Sequence, residues 1–258
     1  MKLTVLGKSP AWSDAGGACS GYLVEGDAGG AFLLDCGNGV FGKLRERLDY
    51  RAIDAVVVSH LHGDHLLDIV PFAYARTVGP DAVPNAKVAR PRLIAPPGAD
   101  AFFRRLAGTW GDDDRIAAAF EIEEYHPGAT FEVCGVEVRA HPVPHFGPTN
   151  AIELRAGGGG RIVFGADGRF SDELVAAAAG AEVLIAEATL AEADTAPVEE
   201  RGHMCALEAG RLAKRAGVGR LVLTHISDEL DLDFALEQAR GSFAGPVEVA
   251  AEGSSYVV

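Results

Sequence analysis

Cysteine is scarce in this chain and badly placed for cross-linking. The four cysteines, Cys19, Cys36, Cys134 and Cys205, are scattered over 258 residues and form no C-x-x-C pair. A disulfide framework is therefore not expected, and buried thiols in a reducing cytoplasmic compartment are. Basic charge is also short. The 23 Lys and Arg stand against 37 Asp and Glu, a net charge of −14. A surface that negative repels phosphate backbones and anionic headgroups, which argues against nucleic-acid and membrane partners. Long apolar runs are missing as well. Nothing approaches the ~18–20 residues of a membrane span. The stretch Met1–Gly7 is too short for a secretory leader, so a cytoplasmic location is expected. No Pro- or Ser-rich linker breaks the chain, and residues 1–258 are expected to form a single domain.

What is present is an ordinary globular composition, 48% hydrophobic and 23% charged. Strand-like runs cover Leu3–Leu6, Gly21–Glu25, Ala31–Asp35, Ala55–Ser59, Ile122–Tyr125, Phe131–Ala140, Asn150–Arg155 and Arg161–Gly165. Helical patterns cover Gly39–Leu48, Leu66–Thr77 and Ala99–Ala107. From Ser171 onward helices and strands alternate: helices at Ser171–Ala178, Cys205–Ala216 and Leu232–Arg240, strands at Glu182–Glu187, Arg220–Thr224, Pro246–Ala250 and Ser255–Val258. Alternation at both ends with hairpins between predicts an α/β protein with helices outside layered sheets.

Eight histidines are present, and three of them fall within His60-Leu61-His62-Gly63-Asp64-His65. This segment follows the apolar run Ala55–Val58 and precedes an apolar helix. Imidazole nitrogens and carboxylate oxygens packed this closely are a metal-binding donor set. In an extended loop, residues two apart point the same way, so His60 and His62 can share one ion. Asp64 and His65 then face a neighbouring position, and Gly63 lets the chain turn between them.

H-x-H-x-D-H behind a buried strand resembles the signature of the metallo-β-lactamase fold superfamily. Leu34-Asp35-Cys36-Gly37, an isolated His, an Asp and a final His then follow in that family's order. The resemblance covers nearly the whole chain. It implies a four-layer αββα sandwich of two related halves with metals at one edge of the sheets. His141 and His145 compete for the isolated His; the pattern H-x-x-P-small-x-small-apolar favours His145. The bridging carboxylate is then Asp167 in Phe164-Gly165-Ala166-Asp167-Gly168, and the last ligand is His225 after Leu221–Thr224. The implied ligand sets are His60, His62, His145 and Asp167 for one divalent ion, and Asp64, His65, Asp167 and His225 for the other. Asp64 counts among the catalytic groups too. Zn²⁺ suits these donors best, with Mn²⁺ or Fe acceptable. Two such ions hold a bridging hydroxide nucleophile at neutral pH.

A second pair narrows the branch. Glu187-Ala188-Thr189 and the His203 segment Gly202–Gly210 resemble the E-A-T … H-x-[ST]-x-x-E-A pattern of ribonuclease Z and its phosphodiesterase relatives, with Cys205 where Ser or Thr is commoner. In those relatives the Glu orients a His that serves the leaving oxygen, so His203 and Glu187 are expected to be catalytic. Ribonuclease Z inserts a tRNA-gripping arm between the isolated His and the bridging Asp. Here His145 and Asp167 are too close for one, and the only cations between them are Arg155 and Arg161. The expected function is a dinuclear metal-dependent phosphodiesterase on a small substrate such as a cyclic nucleotide. The alternative is a hydrolase of a lactone, thioester or other carboxylic substrate; tRNA 3′-processing ranks below both. The implied partners are a small-molecule substrate and, as in many relatives, a second copy in a homodimer. The loops around Ser9–Ser20 and Phe72–Pro91 carry no pattern that names the substrate.

Overall fold

The computed structural model describes residues 1–80, 89–193, 196–197 and 200–258. Part of the 72–91 segment therefore lies outside the described residues. The first half of the chain supplies β1 (Lys2–Gly7), β2 (Gly21–Glu25), β3 (Ala31–Cys36), α1 (Val40–Arg45), β4 (Ile53–Val57), α2 (Ile69–Thr77), β5 (Arg92–Ala95), α3 (Ala99–Gly108), α4 (Arg115–Ala119) and β6 (Glu121–Glu124). The second half supplies β7 (Thr130–Val133), β8 (Val136–Val143), β9 (Thr149–Arg155), β10 (Arg161–Phe164), α5 (Asp172–Ala178), β11 (Val183–Glu187), α6 (Ala206–Ala216), β12 (Leu221–Thr224), α7 (Leu232–Ser242), β13 (Val247–Val249) and β14 (Ser255–Val257).

These strands build two seven-stranded sheets, ordered β14-β1-β2-β3-β4-β5-β6 and β13-β12-β11-β10-β9-β8-β7. Each half begins with antiparallel hairpins and continues with parallel strands joined through helices. The parallel strands β3, β4 and β10–β12 are nearly continuous apolar runs because both of their faces are covered. One face of each sheet points into a shared core that includes Tyr22, Phe32, Leu34, Val57, Ile152, Phe164, Ile185 and Val222. The opposite face of the first sheet packs on α1–α4 through Leu33, Val56, Phe72, Phe103 and Phe120. The opposite face of the second packs on α5–α7 through Leu174, Leu184, Leu212 and Leu223. The layering is thus α, β, β, α. A buried hydrogen bond between the Tyr22 and Thr224 hydroxyls, 2.7 Å, ties the two sheets together.

Two differences from the sequence pattern have local causes. The run Phe131–Ala140 is broken into β7 and β8, because Cys134 and Gly135 turn the chain with φ 53° and 75°. The four-residue β5 was not apparent from the sequence, since Arg92-Leu93-Ile94-Ala95 is too short to show a period and follows the unpatterned 72–91 stretch. The connections after β3, β4, β10, β11 and β12 leave from the same edge of the two sheets, and the chemistry gathers there, as is usual for open α/β sheets.

Candidate metal centre and its surroundings

The loop after β4 extends through His62 and then tightens into a 3-10 turn over Gly63–His65. This places His60, His62, Asp64 and His65 around the strand end. His145 comes from the connection between β8 and β9, Asp167 from the end of β10, and His225 from the end of β12. Two groups result. In each of His60–His62–His145–Asp167 and Asp64–His65–Asp167–His225, one donor atom per residue can be chosen so that all lie within 4.8 Å of one another. Asp167 belongs to both. Its carboxylate lies 3.8 Å from His60 Nε2, 3.2 Å from His65 Nε2, 3.9 Å from His145 Nε2 and 3.4 Å from His225 Nε2.

The surrounding hydrogen bonds decide which nitrogen of each ring faces inward. The Asp35 carboxylate accepts from the Ser59 amide at 2.7 Å, the Ser59 hydroxyl at 2.8 Å and His65 Nδ1–H at 2.7 Å. With its proton committed to Asp35, the Ser59 oxygen accepts from His60 Nδ1–H at 3.1 Å. The Gly202 carbonyl takes His145 Nδ1–H at 2.7 Å. The Thr189 hydroxyl donates to Glu187 and so accepts from His225 Nδ1–H at 2.7 Å. In all four rings Nδ1 is thus engaged by its support and Nε2 faces Asp167, the nitrogen left to a metal ion.

Charge follows the same plan. Burial, with its imidazole neighbours, holds His60 well below the usual histidine range, and burial also lowers His145. Burial opposes charge on His65 too, but the Asp167 and Asp35 carboxylates outweigh it and raise its pKa well above that range. Burial would raise Asp167; His225, His65 and His60 overcome it and hold the carboxyl well below its ordinary value. The donor set fits divalent cations for a further reason. His60 Nε2, His65 Nε2 and Asp167 Oδ1 are buried without a hydrogen-bond partner. An unpaired buried polar atom costs about 1–3 kcal/mol, and three converging on one space call for a cation. Strain gathers here as well: Asp35, Ala166 and His225 hold φ of 57°, 52° and 48°, a region non-glycine residues seldom occupy. Gly37 is required for close approach, because a Cβ there would meet the Asp64 carbonyl at 1.8 Å.

Glu187 and His203 stand beside this cluster. His203 Nδ1–H donates to the Glu187 carboxylate at 3.0 and 3.2 Å. Burial opposes charge on His203, but Glu187, Asp167 and Asp64 raise its pKa above the ordinary value. The His203 ring is stacked on that of His225 at 5.6 Å and 13°. Glu187 also accepts the Gly168 and Met204 amides, so it holds the Asp167 loop and the His203 loop at once. His141 is placed elsewhere, on the Glu153 carboxylate at 2.9 Å. Sequence reasoning passed over Asp35, Ser59, Thr189 and the Gly202 carbonyl as members of the site. Two of them left a signal: Asp35 as a carboxylate inside the apolar run Phe32–Cys36, and Thr189 as the last residue of the Glu187-Ala188-Thr189 motif.

Residues 31–226 match the family model of the β-lactamase superfamily domain. The chain belongs to that superfamily. It is 31% identical to the probable metallo-hydrolase YhfI of Bacillus subtilis, over 98% of both chains. The crystal structure of YhfI superposes with a TM-score of 0.84, covering 99% of this chain and 98% of that one at 27% identity. A ribonuclease Z from Myxococcus xanthus is 29% identical, covering 98% of this chain and 96% of the relative. Its alignment runs over 307 residues, so that relative carries inserted residues absent here. The metallo-β-lactamase fold and its ribonuclease Z-like branch are thereby established, and the His/Asp clusters suit a divalent-metal hydrolase. Among the described residues no helix is long and apolar enough to cross a membrane.

Proposed function

We propose that this chain is a dinuclear metal-dependent phosphodiesterase acting on a small substrate such as a cyclic nucleotide. His60, His62, His145 and Asp167 would hold one ion, and Asp64, His65, Asp167 and His225 the other, with Zn²⁺ the expected metal. Bound there, two such cations supply Lewis acidity and a nucleophile at neutral pH. The observation that carries the reading is the Glu187–His203 pair. Glu187 fixes the Nδ1 proton, and the imidazole is biased toward its charged form with Nε2 as the remaining acid. Cleavage of a phosphodiester expels an alkoxide, a poor leaving group that gains most from a positioned proton donor. Asp64, whose Oδ2 lies 3.0 Å from His225 Nε2, would serve as both ligand and catalytic group.

A small substrate is favoured by the chain between His145 and Asp167. It holds only the β9–β10 hairpin, and its two cations are already engaged. Arg155 and Arg161 both bond the buried Glu153, at 2.8 Å each. A panel of bis-p-nitrophenyl phosphate, cyclic AMP, a lactone and a thioester tests the proposal. Turnover of the two phosphodiesters is the expected result. Turnover of the lactone or thioester alone would move the chain to the carboxylic-substrate branch.

A further inference from the structure

Phe146 is out of place for an apolar side chain. It is 69% exposed, more than any other aromatic residue among those described as exposed. Yet it is not loose. Its ring lies directly on the backbone of Gly202, where a Cβ would come within 2.1 Å of Cε2. Its centroid is 5.3 Å from the His145 ring and 5.9 Å from the His203 ring. The loops that supply the metal-facing His145 and the proton donor His203 thus also seat a fixed aromatic surface at their rim. Neither the ligand sets nor the proton donor uses it.

We propose that Phe146 is the stacking surface for a planar heteroaromatic group of the substrate, so that the preferred phosphodiester carries a nucleobase. The inference rests on the phosphodiesterase reading and adds the substrate class. An aromatic face held rigid before binding loses little entropy when a ring stacks on it. Every base presents a π-face, so the surface selects for a base without distinguishing among bases. Sugar and phosphate then extend toward His203 and the metal-facing side chains.

The test compares cyclic AMP with its abasic counterpart, methyl riboside 3′,5′-cyclic phosphate, on metal-loaded wild type, Phe146→Ala and Phe146→Trp. Phosphorus NMR follows the phosphomonoester formed. Phe146→Ala is expected to lower kcat/KM on cyclic AMP about tenfold, mainly through KM. The loss on the abasic substrate should be several times smaller, and Phe146→Trp should retain the preference. Calorimetry reads the same surface without turnover: AMP should bind about tenfold more weakly to Phe146→Ala, and ribose 5-phosphate should show little difference. Equal losses on both substrates, or none, overturn the inference. So does a loss accompanied by dissociation of a dimer in sedimentation, which would assign the ring to a subunit interface. If wild type cleaves neither phosphodiester while AMP binding still depends on Phe146, the phosphodiesterase reading falls and the stacking surface stands. If AMP binding is also indifferent to Phe146, both fall.

Discussion

Replacing Asp35 by Asn exchanges a single oxygen for an NH₂ group, on the far side of the His65 ring from the nitrogen that would meet a metal. The wild-type carboxylate takes three donors: Ser59 N and the Ser59 hydroxyl at 2.7 and 2.8 Å, and His65 Nδ1–H at 2.7 Å. Asn keeps only one acceptor oxygen. If that oxygen serves the Ser59 amide, the NH₂ group faces His65. His65 must then carry its proton on Nε2, the nitrogen that would otherwise be given to the ion. If the amide flips, the Ser59 N–H faces a donor in a site with no solvent exposure. The backbone tolerates the change, because Asn accepts the φ of 57° as readily as Asp does. One unsatisfied buried donor costs about 1–3 kcal/mol, a fall in Tm of roughly 2–10 °C for a chain of this size. Disturbing a residue that orients a ligand costs about 10–100-fold in metal affinity. Titration against a chelating dye should show that loss mainly in one of two binding steps, the one using His65. Unchanged affinity in both steps would refute the reasoning that Asp35 sets the His65 tautomer.

Two further outcomes follow from the same geometry. His203→Ala should retain its metals and slow cyclic AMP cleavage ~10²–10⁴-fold, with a much smaller loss on bis-p-nitrophenyl phosphate, whose leaving group needs little protonation; equal losses on both substrates would contradict a proton-donor role. Glu153→Gln should lower Tm near neutral pH by about 4–8 °C, since the buried carboxylate loses charged bonds to His141, Arg155 and Arg161. Burial opposes the Glu153 charge, but His141 and Arg161 depress its pKa, so the stabilisation is complete above the ordinary glutamate value of 4.5 and fades as pH falls through the lower folded value. The Tm gap between variant and wild type should therefore shrink below pH 4.5, and a constant gap would contradict that assignment.

The segments that carry the candidate ligands were legible because they combine a strong period with an unusual composition. An apolar strand followed by three histidines and an aspartate has few readings, and the ends of β10 and β12 repeat the same pattern of strand then acid or imidazole. What the sequence hid is the support. Thr189 and the Gly202 carbonyl act through hydrogen bonds that exist only once β11, β12 and the 201–205 loop are assembled. Glu187 could be read as the partner of His203, but its hold on the Gly168 amide could not, because nothing local links the end of β11 to the loop after the neighbouring parallel strand β10, nineteen residues earlier. Short elements were lost for a different reason: β5 spans four residues, less than any periodicity can show.

The central claim is a two-ion centre bridged by Asp167, and the most direct measurement is elemental analysis of protein purified without chelator, alongside Asp167→Ala. Wild type is predicted to carry about two divalent ions per chain. The variant should lose affinity for both, because the carboxylate it removes lies within 4 Å of donors from both sets: His60, His145 and His225 through Oδ2 and His65 through Oδ1. A wild-type content near one, or an Asp167→Ala variant that still holds two ions, would contradict the account.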